Sequence, residues 1–384
     1  MSLVIDIHAL QTLPPSLINR DDTGAPKSAI FGGVPRQRVS SQSWKRAIRS
    51  YFEKNVDPES VGDRSKRLPE KIAKLVEEHE GWDSERAIKQ VSDLFKVAGI
   101  STEVDNKRIK ELEKSKVEDK EELIKEARYP RTKYLIFLSP QQIDRAVRAI
   151  VAADGEKIKK AEAKEILDTK HSVDMAMFGR MIADDAAFNV DAAVQVAHAL
   201  GIHDSAPEFD YFTAVDDLAE AGEETGAGMI GTVQMMSSTL YRFATVNVAG
   251  LTENLDSEEN AKQAAVQFVD AFIKSMPTGK INTFANHTLP ELVYVTARDT
   301  RPVSLVTAFE EPVQATDDKN LRIAGAEALA REEKEFEENY GLKPLAAFVV
   351  GVSEARAPFA DIAETVTLPE LSERLTTVLD SSQS

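Results

Sequence analysis

The run Thr232–Val248 reads as one long strand, with Tyr241, Phe243, Thr245 and Asn247 sharing a face. A strand carries a row of backbone donors and acceptors that must be paired, so this run commits the chain to a sheet. Leu3, Ile5, Ile7 and Ala9 alternate with Val4, Asp6, His8 and Leu10, which predicts a second strand buried on one face, ending in a Pro14-Pro15 loop. Val173–Phe178, Leu292–Thr296 and Ala346–Val352 read as further strands. Helices are interleaved with them. Ser257 caps an amphipathic helix that turns Ala261, Ala265, Phe268 and Phe272 inward before Pro277, and Arg322–Tyr340 is a helix closed by Gly341. This mixture predicts an α+β sheet with helices packed on one side.

Between Asn55 and Lys170 the composition shifts to charged helices, Leu68–Glu80, Ser84–Ala98 and Asn106–Arg128, separated by turn-like Gly81 and Gly99. Tyr134–Leu138 looks like a short strand inside this block, and Ser139-Pro140-Gln141-Gln142 is a capping box with proline at the first helical position. The block is a helical insertion, without internal repeat. A chain of 384 residues is expected to form two or three lobes with a sizeable core. It has no cysteine, which excludes disulfides and thiolate metal sites. The first ten residues lack a basic start and a cleavage site, and no apolar stretch approaches the roughly 20 residues needed to span a bilayer. The expectation is a soluble, cytoplasmic protein without a signal peptide or membrane partner.

Two charge anomalies stand out against a net charge of -17. From Thr23 to Phe52 there is no acid, yet Lys27, Arg36, Arg38, Lys45, Arg46 and Arg49 are all present. Such a local surplus on an acidic chain predicts a confined polyanion track, the alternative being a solvated basic helix face. Val34–Val39 reads as extended, with the guanidiniums of Arg36 and Arg38 on one face. Ser40 or Ser41 can cap a helix over Gln42–Phe52, on which Lys45 and Arg49 stand four apart with Arg46 beside them. Exposed helix-start amides and Arg or Lys forks suit phosphate oxygens. From Met181 to Tyr241, conversely, there is no Lys or Arg, while Asp184, Asp185, Asp191, Asp204, Glu208, Asp210, Asp216, Asp217, Glu220, Glu223 and Glu224 are acidic. That window is either a solubilising loop or a surface that meets the basic segment of a neighbouring copy, which would build an open head-to-tail filament.

Catalytic patterns are weak. Asp6 and His8 share a strand face, but two ligands do not make a metal site, and a structural role is expected. His171, His198 and His203 lack supporting spacing, and Gly32-Gly33 is not followed by the Lys-Ser or Lys-Thr of a phosphate loop. Asp21 and Asp22 are expected to hold Arg20 or cap their loop.

The sequence itself carries a resemblance. Asn19-Arg20-Asp21-Asp22, Ala29-Ile30-Phe31-Gly32-Gly33 and the run Arg38 to Ala47 closely resemble, in this order, the opening of the backbone subunit of type I-E Cascade, the CasC family (Cas family seven) of CRISPR-associated proteins. Ser172-Val173-Asp174-Met175-Ala176 with Gly179-Arg180-Met181, the segment Tyr211–Leu218, and Ala308-Phe309-Glu310 are similar to the same family. The likeness spans most of the chain and is weakest between Asn55 and Lys170.

The resemblance implies a right-hand shape: an RNA-recognition-motif or ferredoxin-like palm from residues 1–54, 171–196 and 232–384, helical fingers from 55–170, and a thumb hairpin at 197–231. It implies a non-catalytic subunit, without cofactor or metal, that polymerises head to tail along the spacer of a CRISPR RNA with other Cascade subunits and presents that guide to a target DNA strand. The residues expected to meet the RNA are Asn19, Arg20, Arg38, Ser40, Gln42, Lys45, Arg46 and Arg49, with Arg180, Met181 as an apolar wedge, and Phe212 and Thr213 at the thumb tip. Bases stacking on Tyr241 and Phe243 would be the RNA-recognition-motif alternative to simple core packing. Lys157, Lys160 and Lys164, spaced for one helical face, could hold a duplex by charge. The competing class is a guide-dependent or repeat-processing endoribonuclease on the same palm, and a weaker one is a general single-strand binder.

Overall fold

The computed structural model describes residues 3–79, 81–214 and 229–381. It divides into two compact units, one made of Met1–Tyr51, Val194–Ala249 and Lys262–Ser384, the other of Phe52–Ala193 and Gly250–Ala261. Residues 171–193, assigned to the sheet from sequence, therefore belong with the helical insertion.

The first unit holds a ten-stranded mixed sheet. Its centre is β1 (Val4–Ser16), antiparallel both to the long strand Met229–Asn247 and to Leu292–Arg298. The chain links these two flanking strands through the helix Glu258–Lys274, so β1 is inserted between two strands of like direction. On one side the sheet continues through Ala346–Gly351 to Glu364–Thr365, which pair in parallel. On the other it runs through Ala199–Gly201 to β3 (Val34–Val39) and the edge strand β2 (Ser28–Phe31). Val194–Val196 and Glu208–Ala214 also pair with the long strand.

β1 is longer than its alternation predicts, because Pro14 and Pro15, which cannot both serve a regular ladder, sit in a bulge between Leu13 and Ser16. It is also buried on both faces, since helical elements cover both, not one side as expected. On one face Arg242 lies between the rings of Trp44 (3.7 Å) and Phe272 (4.3 Å) and donates to Gln11 Oε1 at 2.6 Å. Trp44 comes from α1 (Ser41–Asn55) and Phe272 from Glu258–Lys274, where Ala261, Ala265 and Phe268 are buried as their spacing predicts. On the other face His8, Tyr241 and Tyr294 pack together beneath Leu329 of the helix Leu321–Tyr340 and beneath Phe309 and Phe359. The Tyr241 hydroxyl shares a hydrogen bond with His8 Nδ1 (2.8 Å) and accepts from the Leu305 amide (3.1 Å). Asp6 accepts from the Val303 amide and faces Arg298 (3.4 Å), which also pairs with Glu333, and all three charged side chains are sealed from water. Asp6 and His8 thus serve the core.

The second unit is a helical cluster whose apolar interior draws on Leu68–Glu77, Ser84–Ala98, Pro140–Ala153 and Lys160–Asp168. Its local signals fold as read. Ser84–Ala98 ends at Gly99 with φ +94°, and Ser139 and Gln142 exchange both capping-box bonds. The strand expected over Tyr134–Leu138 narrows to Ile136–Leu138, paired with Asp63–Ser65. Glu80, the expected end of the first helix, lies outside the described residues. Two expectations change. Asn106–Arg128 splits into Asn106–Lys114 and Lys120–Ala127, because Ser115 leaves the helical region (ψ 160°) and its hydroxyl closes back on the Leu112 carbonyl. Val173–Phe178 is a helix rather than a strand: Met175, Ala176 and Met177 are good helix formers, and the buried Asp174 accepts from the Gly62 amide at 2.9 Å.

Candidate nucleic-acid interface

Within the sheet unit the basic segment forms an edge. β2 and β3 meet in a tight turn at Gly32 and Gly33, whose φ values are +58° and +81°. A Cβ on Gly32 would stand 1.6 Å from the Glu310 carbonyl oxygen, so only glycine lets this tip dock there. Arg36 completes the dock. Fully buried, it donates to the carbonyls of Gly201 (3.2 Å), Phe309 (3.1 Å) and Glu310 (3.3 Å), and burial lowers its pKa. The expectation that Arg36 and Arg38 present paired guanidiniums is therefore corrected: Arg36 is an internal brace, and it joins the separated motifs Ala29–Gly33 and Ala308–Glu310 into one construction.

Arg38, half-buried, stays at the surface. Its Nε donates to the Ser28 carbonyl (3.3 Å) and its Nη1 lies 3.0 Å from His198 Nδ1. Beside it, the loop from Asn19 to Lys27 is closed by the Lys27 amide on the Asn19 carbonyl and by the Arg20–Pro26 bridge. Asp21 is used inside that loop, accepting from the Thr23 hydroxyl (2.8 Å), the Thr23 amide (2.9 Å) and the Ala25 amide (3.0 Å), and the Thr23 hydroxyl above all holds its carboxyl below the ordinary range. Arg20 and Asp22 project into solvent.

Asn19 accepts from the Ser40 amide (2.9 Å), and the Ser40 hydroxyl accepts from the Ser43 amide (3.3 Å), fixing the start of α1. Ser40, only 5% exposed, thus has its hydroxyl engaged as a helix cap. α1 turns Trp44 and Ile48 inward, which leaves Gln42, Lys45, Arg46 and Arg49 within roughly 100° of arc on the opposite side. Gln42 and Arg46 are exposed, while Lys45 and Arg49 are half-buried and desolvation lowers the Lys45 ammonium pKa.

The hairpin of Glu208–Ala214 with the long strand carries exposed rings: Phe209 at 72%, Tyr211 at 65% and Phe212 at 44%. Gly231 lies under the Phe212 ring, where a Cβ would come within 2.3 Å of it. Thr213 pairs with Ile230 in the same ladder. Asp216, Asp217, Glu220, Glu223 and Glu224 of the acidic window, with the rest of residues 215–228 of the expected thumb, lie outside the described residues. Residues 197–201, expected in the thumb, instead include the sheet strand Ala199–Gly201.

In the helical unit, Gly179 (φ +78°) allows the chain to turn tightly under the Val190 carbonyl. Arg180 is buried there, donating to the carbonyls of Phe188 (2.8 Å) and Leu167 (3.0 Å) and to Asp168 (2.5 Å). Its expected place on the RNA is corrected, since these internal partners occupy its guanidinium. Met181 next to it is 79% exposed. Lys157 precedes the helix Lys160–Asp168, so the three fingers lysines do not share a helical face, and Lys164 is paired with Asp185 at 2.7 Å. Asp184 likewise accepts from the Ser101 amide, so part of the acidic window serves this unit's own fold.

Two basic neighbours of Arg38 escaped sequence reasoning as site residues. Lys27 lay in the acid-free run but was not singled out, and His198 had no signal, because β3 pairing with Ala199–Gly201 brings it to Arg38. The exposed Phe209 and Tyr211 were also missed. Among the described residues no three His, Asp or Glu side chains converge as a metal site, and no helix is long and apolar enough to cross a membrane.

The family model described as CT1975-like protein matches residues 5–374. A chain from a solved structure titled "CRISPR RNA-guided surveillance complex, pre-nicking" is 32% identical, with TM-score 0.80, covering 98% of this chain and 100% of that one. Another, from a "CRISPR RNA-guided surveillance complex", is 26% identical with TM-score 0.73, covering 98% and 99%. No curated protein matches the chain. With a family model over nearly its whole length and two like-sized structural relatives in such complexes, the chain belongs to the CT1975-like family of CRISPR-associated proteins and is of the Cas7 type.

Proposed function

We propose that this chain is a non-catalytic backbone subunit of a type I-E CRISPR surveillance complex, which holds the guide RNA by its phosphates and presents it to a target DNA strand. The observation that carries this reading is the basic edge: Arg20, Arg38, Gln42 and Arg46, with Lys45 and Arg49 beside them, on a chain whose net charge of -17 would otherwise repel a polyanion. Contacts of this kind read the backbone and not the bases, so sequence specificity would reside in guide–target pairing. The insertion of β1 between two crossover-linked strands supports a ferredoxin-like palm. In the same reading the helical unit forms the fingers, and the hairpin bearing Phe209, Tyr211, Phe212 and Thr213 forms a thumb.

Met181 suits an apolar wedge beside a displaced base, being small in polarity and almost fully exposed. Lys157 and Lys160, both exposed, are the remaining candidates for the target strand. Copies would assemble head to tail with other complex subunits in the cytoplasm. The use of Asp21 inside its own loop favours the non-catalytic form over an endoribonuclease. Expression with the neighbouring operon genes, purification and sequencing of bound RNA tests the whole reading: spacers flanked by repeat sequence are expected, and unrelated RNA or none would refute it. Incubating the purified complex with magnesium or manganese should leave guide-paired RNA intact, and cleavage lost in Asp21→Ala or Asp22→Ala would favour the enzyme.

A further inference from the structure

An arginine has only donors to offer, so the 3.0 Å contact between Arg38 Nη1 and His198 Nδ1 fixes the state of the imidazole. Nδ1 must present its lone pair and the ring must be neutral, with its proton on Nε2. His198 is exposed, and the charged groups bearing on it are both cations, Arg38 from β3 and Lys27 from the preceding loop. Three basic groups drawn from separate segments thus converge at one surface point, with one of them kept uncharged.

We infer that Lys27, Arg38 and His198 form one phosphodiester subsite, in which RNA binding is linked to protonation of His198. The inference rests on the proposed RNA-binding function. In the free protein Arg38 Nη1–H is parked on His198 Nδ1, while Nε–H is held by the Ser28 carbonyl. When a phosphate oxygen arrives, Nη1–H turns to it, Nδ1 takes a proton from solvent, and the imidazolium donates to the same phosphate. One N–H bond forms, at Nδ1, with a proton taken from solvent, and every other change is in hydrogen bonds, so the balance is one proton taken up per subsite. Partial burial, with the charges of Arg38 and Lys27, holds the free imidazole below its ordinary pKa, and a bound anion reverses that bias. The bound state therefore has the higher pKa, and affinity must rise as pH falls between the two values.

The experiment is fluorescence anisotropy of an oligouridylate RNA at fixed salt from about pH 8 to about pH 6. Wild type should bind about 3- to 10-fold more tightly at the acid end. His198→Gln, whose amide oxygen can still accept from Arg38 but does not titrate, should lose most of that gain. The His198 pKa in wild type, followed by NMR, should rise when the RNA is added, which needs no variant to fold. Salt-sensitive but pH-independent binding, an equal gain in His198→Gln, or an unchanged His198 pKa would overturn the subsite alone. No RNA binding at any pH would remove the proposed function with it.

Discussion

On the sheet face that carries His8, Tyr241 and Tyr294 the rings are roofed by the chain itself, whereas at the edge formed by β2 and β3 the guanidinium of Arg38 and its neighbours reach solvent. Both regions belong to one sheet. An RNA-recognition motif uses such an aromatic face to stack bases. Here Tyr241 is 2% exposed and Phe309 lies 5.1 Å from it, so that face is closed and Phe243 packs against the same core. A sheet face that seals its aromatics beside an edge that leaves Arg38 at the surface fits the proposed sequence-independent hold on a strand, and the contrast can be broken by experiment.

The largest effect is expected on the sealed face. Arg298→Ala would strand Asp6 and Glu333 without their shared cation and should cost about 3–5 kcal/mol in chemical denaturation. A variant as stable as wild type would mean that this face is not a closed core. Next comes pH. Burial, partly offset by hydrogen bonds and Arg298, pushes the Asp6 carboxyl up to about 6. The folded state then holds more protons than the unfolded one between about pH 4 and about pH 6, so this group's contribution falls as pH rises through that window. His8, pushed down to about 3 by burial and then by Arg298, contributes the opposite slope. Asp6→Asn removes only the first, and its stability should climb relative to wild type by about 2–3 kcal/mol across the window. Parallel pH profiles would show that Asp6 titrates normally.

Tyr241→Phe should cost about 1–2 kcal/mol through the lost bonds to His8 and Leu305, with no change in RNA affinity. An affinity loss in a folded variant would show bases reaching this face. Smallest in stability, within about 0.5 kcal/mol, is Arg20→Ala combined with Arg46→Ala. That pair should nevertheless flatten the salt dependence of RNA binding by about 1.4 units of slope, from about 0.7 per phosphate contact. An unchanged slope would remove these two residues from the interface.

Local chemistry was readable in the sequence. The Ser139 capping box, the Gly99 stop and the long strand ending at Asn247 each depend on residues a few positions apart. Fates decided at a distance were not. Arg36 and Arg38 have the same strand parity, and what separates them is the Phe309 carbonyl, 273 positions further on. His198 was illegible for the same reason, since its partner lies 160 residues away. The resemblance marked both Arg180 and Met181 for the surface, and packing divides the labour: glycine turns, arginine anchors, methionine projects.

The Gly32 tip, pressed against the Glu310 carbonyl, has one more consequence. Because Gly32 and Arg36 already clamp the β2–β3 hairpin to the sheet, little backbone entropy would remain to be lost if Arg38 engages a phosphate as proposed. Individually weak contacts can then accumulate along a polymer without each bearing a separate ordering cost. A side chain at position 32 would loosen the hairpin, and a lesion that never touches the guide would surface as poor retention of it.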